Sequence, residues 1–264
     1  MRLALRVEYF GGAFRGWQSQ ACGNTVQDAL QRALSEIAGE RVTVVCAGRT
    51  DAGVHALAQV VHFDTSAQRP LGAWVRGTNS HLPQAVAVRW AQEVAPDFHA
   101  RFSALSRSYR YVLCDSPVRP ALDAGRVGWF HRPLYLETMR AGAEYLLGEH
   151  DFSAFRAAEC QARSPVKVLH QAQVARHGEL VVFEFRANAF LQHMVRNMVG
   201  ALVYVGNGRQ PPDWIAALLR SRDRGLAAPT FAAAGLYFTG VEYEARWRLP
   251  DNGRIIAPLV LPPR

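Results

Sequence analysis

The chain has 264 residues, 49% of them hydrophobic and 20% charged, enough to bury a sizeable core and unlike a disordered or fibrous composition. Its formal charge is +8, from 30 basic and 22 acidic side chains, which suits an anionic partner. No apolar run reaches the ~18 residues of a membrane span, and the first residues alternate instead of forming a signal-peptide core, so a cytoplasmic protein with no membrane partner is expected.

Taken in chain order, "LALRVEYFG" puts Leu3, Leu5, Val7 and Tyr9 on one face and Arg6 and Glu8 on the other, the period of a half-buried strand. A glycine-rich loop with Trp17 follows. "NTVQDALQRALSEIAG" predicts a helix capped by Thr25, with Asp28 three positions on, an apolar stripe of Val26, Leu30, Leu34 and Ile37, and a stop at Gly39. The β-branched runs "RVTVVCAG" and "QVVHFDT" predict strands on either side of "AGRTDAGVHA", residues 47–56, and residues 84–94 predict another. Residues 96–106 are polar and irregular, so a domain boundary is placed there: an N-terminal α/β subdomain over 1–103, a C-terminal one over 104–246, and a proline-rich tail over 247–264. In the second subdomain "YRYVLC" predicts a strand and "PLYLETMRAGAEYLLG" a helix. "LHQAQVARHGELVVFEFRA" predicts a hairpin turning at His177-Gly178, "NAFLQHMVRNMVGALVYVG" a long helix and "GLYFTGVEYEA" a closing strand. Strands joined by hairpins with helices set apart predict an α+β fold with a mainly antiparallel sheet.

Lys167 is the only lysine, so the basic charge is almost all arginine. Arginine forks onto phosphates and stacks on bases, which fits RNA, although a GC-rich coding bias gives the same ratio. Residues 1–103 carry 10 basic and 8 acidic side chains, 104–246 carry 17 and 13, and the rest 3 and 1, so the excess is spread and no basic arm accounts for it. The four cysteines, Cys22, Cys46, Cys114 and Cys160, show no metal or redox spacing.

Three groups of residues could do chemistry. In "AGRTDAGVHA" an extended backbone points Arg49 and Asp51 to one face, between Gly48 and Gly53. Alone, this pattern also describes a turn with an incidental ion pair. Asp51 and His55 at i, i+4 would bind a metal only on a helix, which this alanine- and glycine-rich stretch does not favour. In the long helix Met194, Val195, Met198, Val199, Leu202 and Val203 form an apolar stripe, and His193, Arg196 and Asn197 fall beside it. Arg196 is therefore either a solvent-facing arginine or the cation that keeps a cleft carboxylate ionised. Tyr109 and Tyr111 share one face of a strand, as a base-stacking platform or as core. P-loop, dinucleotide-fold, zincin and α/β-hydrolase patterns are absent.

To about residue 245 the chain resembles the tRNA pseudouridine synthase A family, through "VEYFGGAFRGWQSQ", "TVQDALQRAL", "AGRTDAGVHA", "QVVHFDT", "LPQAVAVRW", "DFHARFSA", "YRYV", "LLGEHDFSAFR", "NAFLQHMVRNMVG" and "GLYF". The resemblance implies the pseudouridine synthase fold: two ferredoxin- or RRM-like α/β subdomains whose strands form a mainly antiparallel central sheet, with a cleft between them. It implies a homodimer acting on tRNA, isomerising uridine at positions 38, 39 and 40 of the anticodon stem-loop, without cofactor or metal. Carried over, Asp51 is the nucleophile, Tyr109 the residue stacking on the target base, Arg196 the partner of the aspartate, Arg49 the residue that helps expel the uridine, and Leu236 a residue lining the uracil pocket. His55 then becomes a loop-packing residue. The rival readings are an RNA-binding protein without catalysis and a metal-dependent nuclease, the latter predicting EDTA-sensitive RNA cleavage.

Overall fold

A computed structural model describes residues 1–250. The elements in chain order are β1 (Arg2–Tyr9), α1 (Val26–Ala38), β2 (Val45–Cys46), β3 (His55–Asp64), a π-helical turn (Ala73–Gly77), α2 (Thr78–His81), β4 (Val86–Val94), β5 (Ala104–Asp115), β6 (Gly128–Phe130), α3 (Leu136–Glu144), β7 (Gly148–Asp151), β8 (Val166–His177), β9 (Leu180–Ala187), α4 (Met194–Gly206), α5 (Trp214–Ser221) and β10 (Leu236–Tyr243). They divide into two compact units: Met1–Leu105 together with the chain from Tyr237, and Ser106–Leu236. The second subdomain expected to run to residue 246 thus ends at Leu236. The chain then returns to the first unit, where Tyr237 and Phe238 pair in parallel with His55 and Ala56 of β3. Parallel partners need a long crossover, and no local pattern announces where the crossover ends.

The sheet of the first unit is ordered β4-β1-β3-β10, with β2 paired to β3. β1 is antiparallel to both β3 and β4, and Leu3, Leu5, Val7 and Tyr9 are buried as their alternation predicts. α1 forms as its caps dictate. Thr25 Oγ1 accepts the Asp28 amide at 3.2 Å, and Gly39 takes the left-handed conformation that ends the helix, with φ 70°. The run "RVTVVCAG" forms a ladder only at Val45 and Cys46, shorter than its β-branched composition suggests. The reason lies in α1: the Val42 amide donates to Ser35 Oγ at 3.0 Å and the Val44 amide to Gln31 Oε1 at 3.0 Å, so helix side chains take the donors a ladder would use.

The sheet of the second unit is ordered β5-β9-β8-β7, its neighbours antiparallel, with β6 added in parallel to β5. Both units are therefore mixed α+β with mostly antiparallel sheets. In the β8–β9 hairpin His177 pairs with Leu180, so Gly178 and Glu179 are the turn residues, and Gly178 supplies the positive φ of 61° that a tight hairpin needs. α3 packs on α4 and β8. α3 is shorter than its pattern, and α4 begins at Met194 because Asn188 to His193 are spent on a turn that ends with His193 left-handed at φ 62°. Along α4 the predicted stripe is buried, and so are Asn197, Gly200, Ala201 and Val205, so the helix is enclosed on nearly every side. Of the expected tail, Trp247 is buried against Phe98, their ring centroids 5.2 Å apart; residues 251–264 lie outside the described residues.

Candidate active site

The loop from Ala47 to Val54 links β2 to β3, and its burial alternates: Arg49 is exposed, Thr50 buried and Asp51 half-buried. Thr50 is the inward anchor, so its two charged neighbours share the outward side. The Thr50 hydroxyl shares a 2.7 Å hydrogen bond with Tyr9 Oη, and its carbonyl accepts the Trp17 amide at 3.0 Å. Gln59, fully buried in β3, donates from Nε2 to the Gly48 carbonyl at 2.6 Å. On the far side the Val54 amide closes a turn onto the Asp51 carbonyl at 3.1 Å, with Gly53 at φ 81°. Gly16, at φ 92°, lies beneath: a Cβ there would stand 3.0 Å from the Thr50 carbonyl oxygen and 3.1 Å from the Ala52 amide nitrogen. Asp51 thus rides on a backbone fixed from β1, β3 and the loop before α1. A preorganised reacting group needs that kind of support.

His55 packs instead of ligating. It is buried, its Nδ1 accepts the Gly11 amide at 3.0 Å, and its ring stacks 4.7 Å from Tyr237. Among the described residues no group of three or more His, Cys, Asp or Glu side chains is placed to hold a metal. Burial pushes the Cys46 thiol, next to the loop, up to about 12, so it stays protonated and is no nucleophile at neutral pH.

In the second unit Tyr109 and Tyr111 share one face of β5, and both are buried, with different neighbours. Tyr111 is fully buried and its hydroxyl donates to the Ala232 carbonyl at 2.9 Å, which makes it core. Tyr109 meets Phe190 edge-on at 5.0 Å. Arg110, on the other face, pairs with Glu184 of β9 at 2.6 Å. Arg196, half-buried in the first turn of α4, donates from Nε to the Phe231 carbonyl at 2.8 Å, and the Phe231 amide returns to the Arg196 carbonyl at 3.2 Å. Leu236 is buried at the start of β10.

The apolar periodicity of α4 hides a fully buried polar anchor. Asn197, assigned by pattern to the flank of the stripe, has no solvent exposure. Its Nδ2 donates to the Phe155 carbonyl at 2.7 Å, and its Oδ1 accepts from Thr230 Oγ1 at 2.7 Å and Arg224 Nη2 at 3.2 Å. This network ties the segment around Thr230 and Phe231 to α4, and that segment in turn carries the carbonyl that aims Arg196.

A model of the tRNA pseudouridine synthase family matches residues 6–103 and 143–244. The chain belongs to that family. Its similarity to individual curated members runs nearly end to end. It is 65% identical over 251 residues to the tRNA pseudouridine synthase A of Dechloromonas aromatica, covering 95% of this chain and 96% of that one. It is 63% identical to the protein of the same name from Aromatoleum aromaticum, covering 97% of each. For that of Thiobacillus denitrificans the identity is 60%, covering 96% of this chain and 97% of the relative. The chain is thus an isomerase of the tRNA pseudouridine synthase family. Arg49 and Asp51 lie in the first matched stretch and Arg196 and Leu236 in the second, with Tyr109 between the two.

Proposed function

We propose that this tRNA pseudouridine synthase isomerises uridine at positions 38, 39 and 40 of the tRNA anticodon stem-loop, with Asp51 as the nucleophile and no cofactor. The observation that carries the reading is a half-buried carboxylate on a backbone pinned by Tyr9, Trp17 and Gln59, with an exposed guanidinium two residues away. In the reaction the N1–C1′ bond breaks, the uracil turns within the site, C5 bonds to C1′, and the C5 proton is lost to solvent. A carboxylate can hold the reactants through this sequence by adding to C6 of the ring or by trapping C1′, and both routes use Asp51 in its ionised form.

A uridine in or beside a stem must leave the stack, at about a few kcal/mol, which ring stacking and arginine contacts offset. Tyr109 is assigned to stack on the extruded base, with Phe190 holding its ring edge-on. Arg49 fills the gap left in the RNA. Arg196 is the cation paired with the carboxylate in the reacting state, and its aim rests on the Phe231 carbonyl. Leu236 supplies apolar lining for the uracil. The spread positive charge grips phosphates, which positions the RNA without reading its sequence. The working form is a homodimer, acting in the cytoplasm.

The test is tritium release from tRNA carrying 5-tritiated uridine. The parent protein releases one tritium per uridine converted, and Asp51→Asn releases none above background while still binding tRNA. Release by Asp51→Asn at the parent rate rejects the nucleophile assignment.

A further inference from the structure

The stretch "DFHARFSA", residues 97–104, has no part in the roles assigned above, yet its backbone is anchored at successive residues. Arg2 donates to the carbonyls of Pro96 and Phe98. Phe98 is fully buried, with Tyr243 and Trp247 each 5.2 Å away. The Tyr243 hydroxyl donates to the Ala100 carbonyl at 2.6 Å, and the Ala100 amide donates to Nδ1 of the buried His62 at 3.1 Å. The loop also closes on itself. The His99 amide donates to Ser103 Oγ at 3.0 Å, the Ser103 amide returns to the His99 carbonyl at 2.8 Å, and His99 Nδ1 faces the amides of Arg101 and Phe102, each at 3.2 Å.

The ring held out by this scaffold is 75% exposed: it is Phe102. Apolar surface left in solvent is unfavourable, and here the anchored backbone holds the ring at the surface. Phe102 stacks on His99, centroids 4.3 Å apart at 29°, and His99 leans on His62 at 4.7 Å, so the rings form a column rising from the core. The Arg101 guanidinium stands 5.5 Å from the Phe102 centroid. The base of the column lies beside the strand that leads into the Asp51 loop, since His62 pairs with Val45 of β2.

An exposed aromatic face beside a guanidinium, with polar neighbours on either side, fits an unpaired or terminal base and its phosphate better than an apolar protein surface. We propose that Phe102 is a second stacking residue for the tRNA substrate, outside the group that acts on the target uridine, with Arg101 taking the adjacent phosphate. The inference rests on the proposed function for the identity of the RNA.

Equilibrium binding of unmodified tRNA to the parent, Phe102→Ala and Phe102→Tyr tests it, alongside tritium release and thermal unfolding of each. The expected result is a loss of roughly 5- to 150-fold in affinity for Phe102→Ala, the range for removing one base-stacking ring. Phe102→Tyr should bind as the parent does, with all three melting alike, and Phe102→Trp should show tRNA-dependent fluorescence quenching beyond that of the parent's six tryptophans. Parent-like affinity for Phe102→Ala overturns the inference, as does equal loss in Phe102→Tyr. A changed oligomeric state with unchanged tRNA affinity also overturns it and assigns the ring to a contact between copies. Absence of tritium release by the parent would reject the activity reading alone, since the binding series decides the stacking role by itself.

Discussion

Replacing Asn197 with alanine should both weaken the second unit and slow the reaction, because one buried side chain holds three separate pieces of chain. In Asn197→Ala the Phe155 carbonyl loses its 2.7 Å donor, and Thr230 Oγ1 and Arg224 Nη2 lose their acceptor. Each buried partner left unsatisfied costs about 1–3 kcal/mol. Arg224 keeps the Ala228 carbonyl and Thr230 Oγ1 as acceptors, so its share falls at the low end. The sum is about 3–7 kcal/mol. For a chain of this size each kcal/mol moves the melting point by about 2–4 °C, so a fall on the order of 10 °C is expected. Asn197→Asp retains the acceptor for Thr230 and Arg224 but sets a second acceptor against the Phe155 carbonyl, so it too should melt below the parent. In single-turnover kinetics the loosened Phe231 carbonyl no longer aims Arg196, so the rate falls while tRNA affinity holds. The assay is differential scanning fluorimetry paired with tritium release under saturating enzyme. A melting point within about 2 °C of the parent for Asn197→Ala would refute the claim that this network carries the segment.

Two further perturbations follow from close approaches and from buried charge. A Cβ at Gly235 would collide with the Val112 carbonyl oxygen and lie 2.5 Å from the Gly128 amide nitrogen and 2.7 Å from Tyr111 Cε1, so Gly235→Ala should cost about 3 kcal/mol or more. Chemical denaturation would show this as an earlier transition, and an unshifted midpoint would contradict it. Burial pulls His62 from 6.5 down to about 4, with His99 and Arg2 adding to it and Asp64 opposing. The unfolded chain therefore takes up this proton first as pH falls. The stabilisation is complete above about 6.5, is lost progressively as pH drops to about 4, and amounts to at most about 3 kcal/mol. His62→Gln retains an acceptor for the Ala100 amide but cannot titrate, so its denaturation midpoint should be flatter across that window; an unchanged slope would exclude His62 as its source.

What the sequence discloses here follows the range of the forces involved. Helix α1 is legible because Thr25, Asp28 and Gly39 decide its ends within a turn of themselves. The alternation of β1 is legible because one face of the strand is buried and the other is not. The Asp51 loop could be read as an R-x-D presentation, yet its support could not. Tyr9, Trp17 and Gln59 come from other elements, and nothing in their local pattern says that they converge on Thr50 and Gly48. Asn197 is the sharpest miss, since a polar residue beside an apolar stripe reads as a boundary position. It is buried only because Phe155, Thr230 and Arg224 arrive with complementary groups. Residues 41–44 mislead in the opposite way: their composition is that of a strand, but Ser35 and Gln31 of α1 intercept the backbone donors.

The return of the chain at Tyr237 also bears on how the molecule is made. β3 is complete by residue 64, but its parallel partner β10 starts some 170 residues later, after the whole of the second unit. During synthesis from the N-terminus, the first unit waits with one strand edge of His55 and Ala56 unpaired while the second unit can already close its own sheet. Contacts of such long sequence separation form slowly. The unit that carries Asp51 is therefore the last to finish, and a released fragment ending at Leu236 would hold all of the second unit and an incomplete first one.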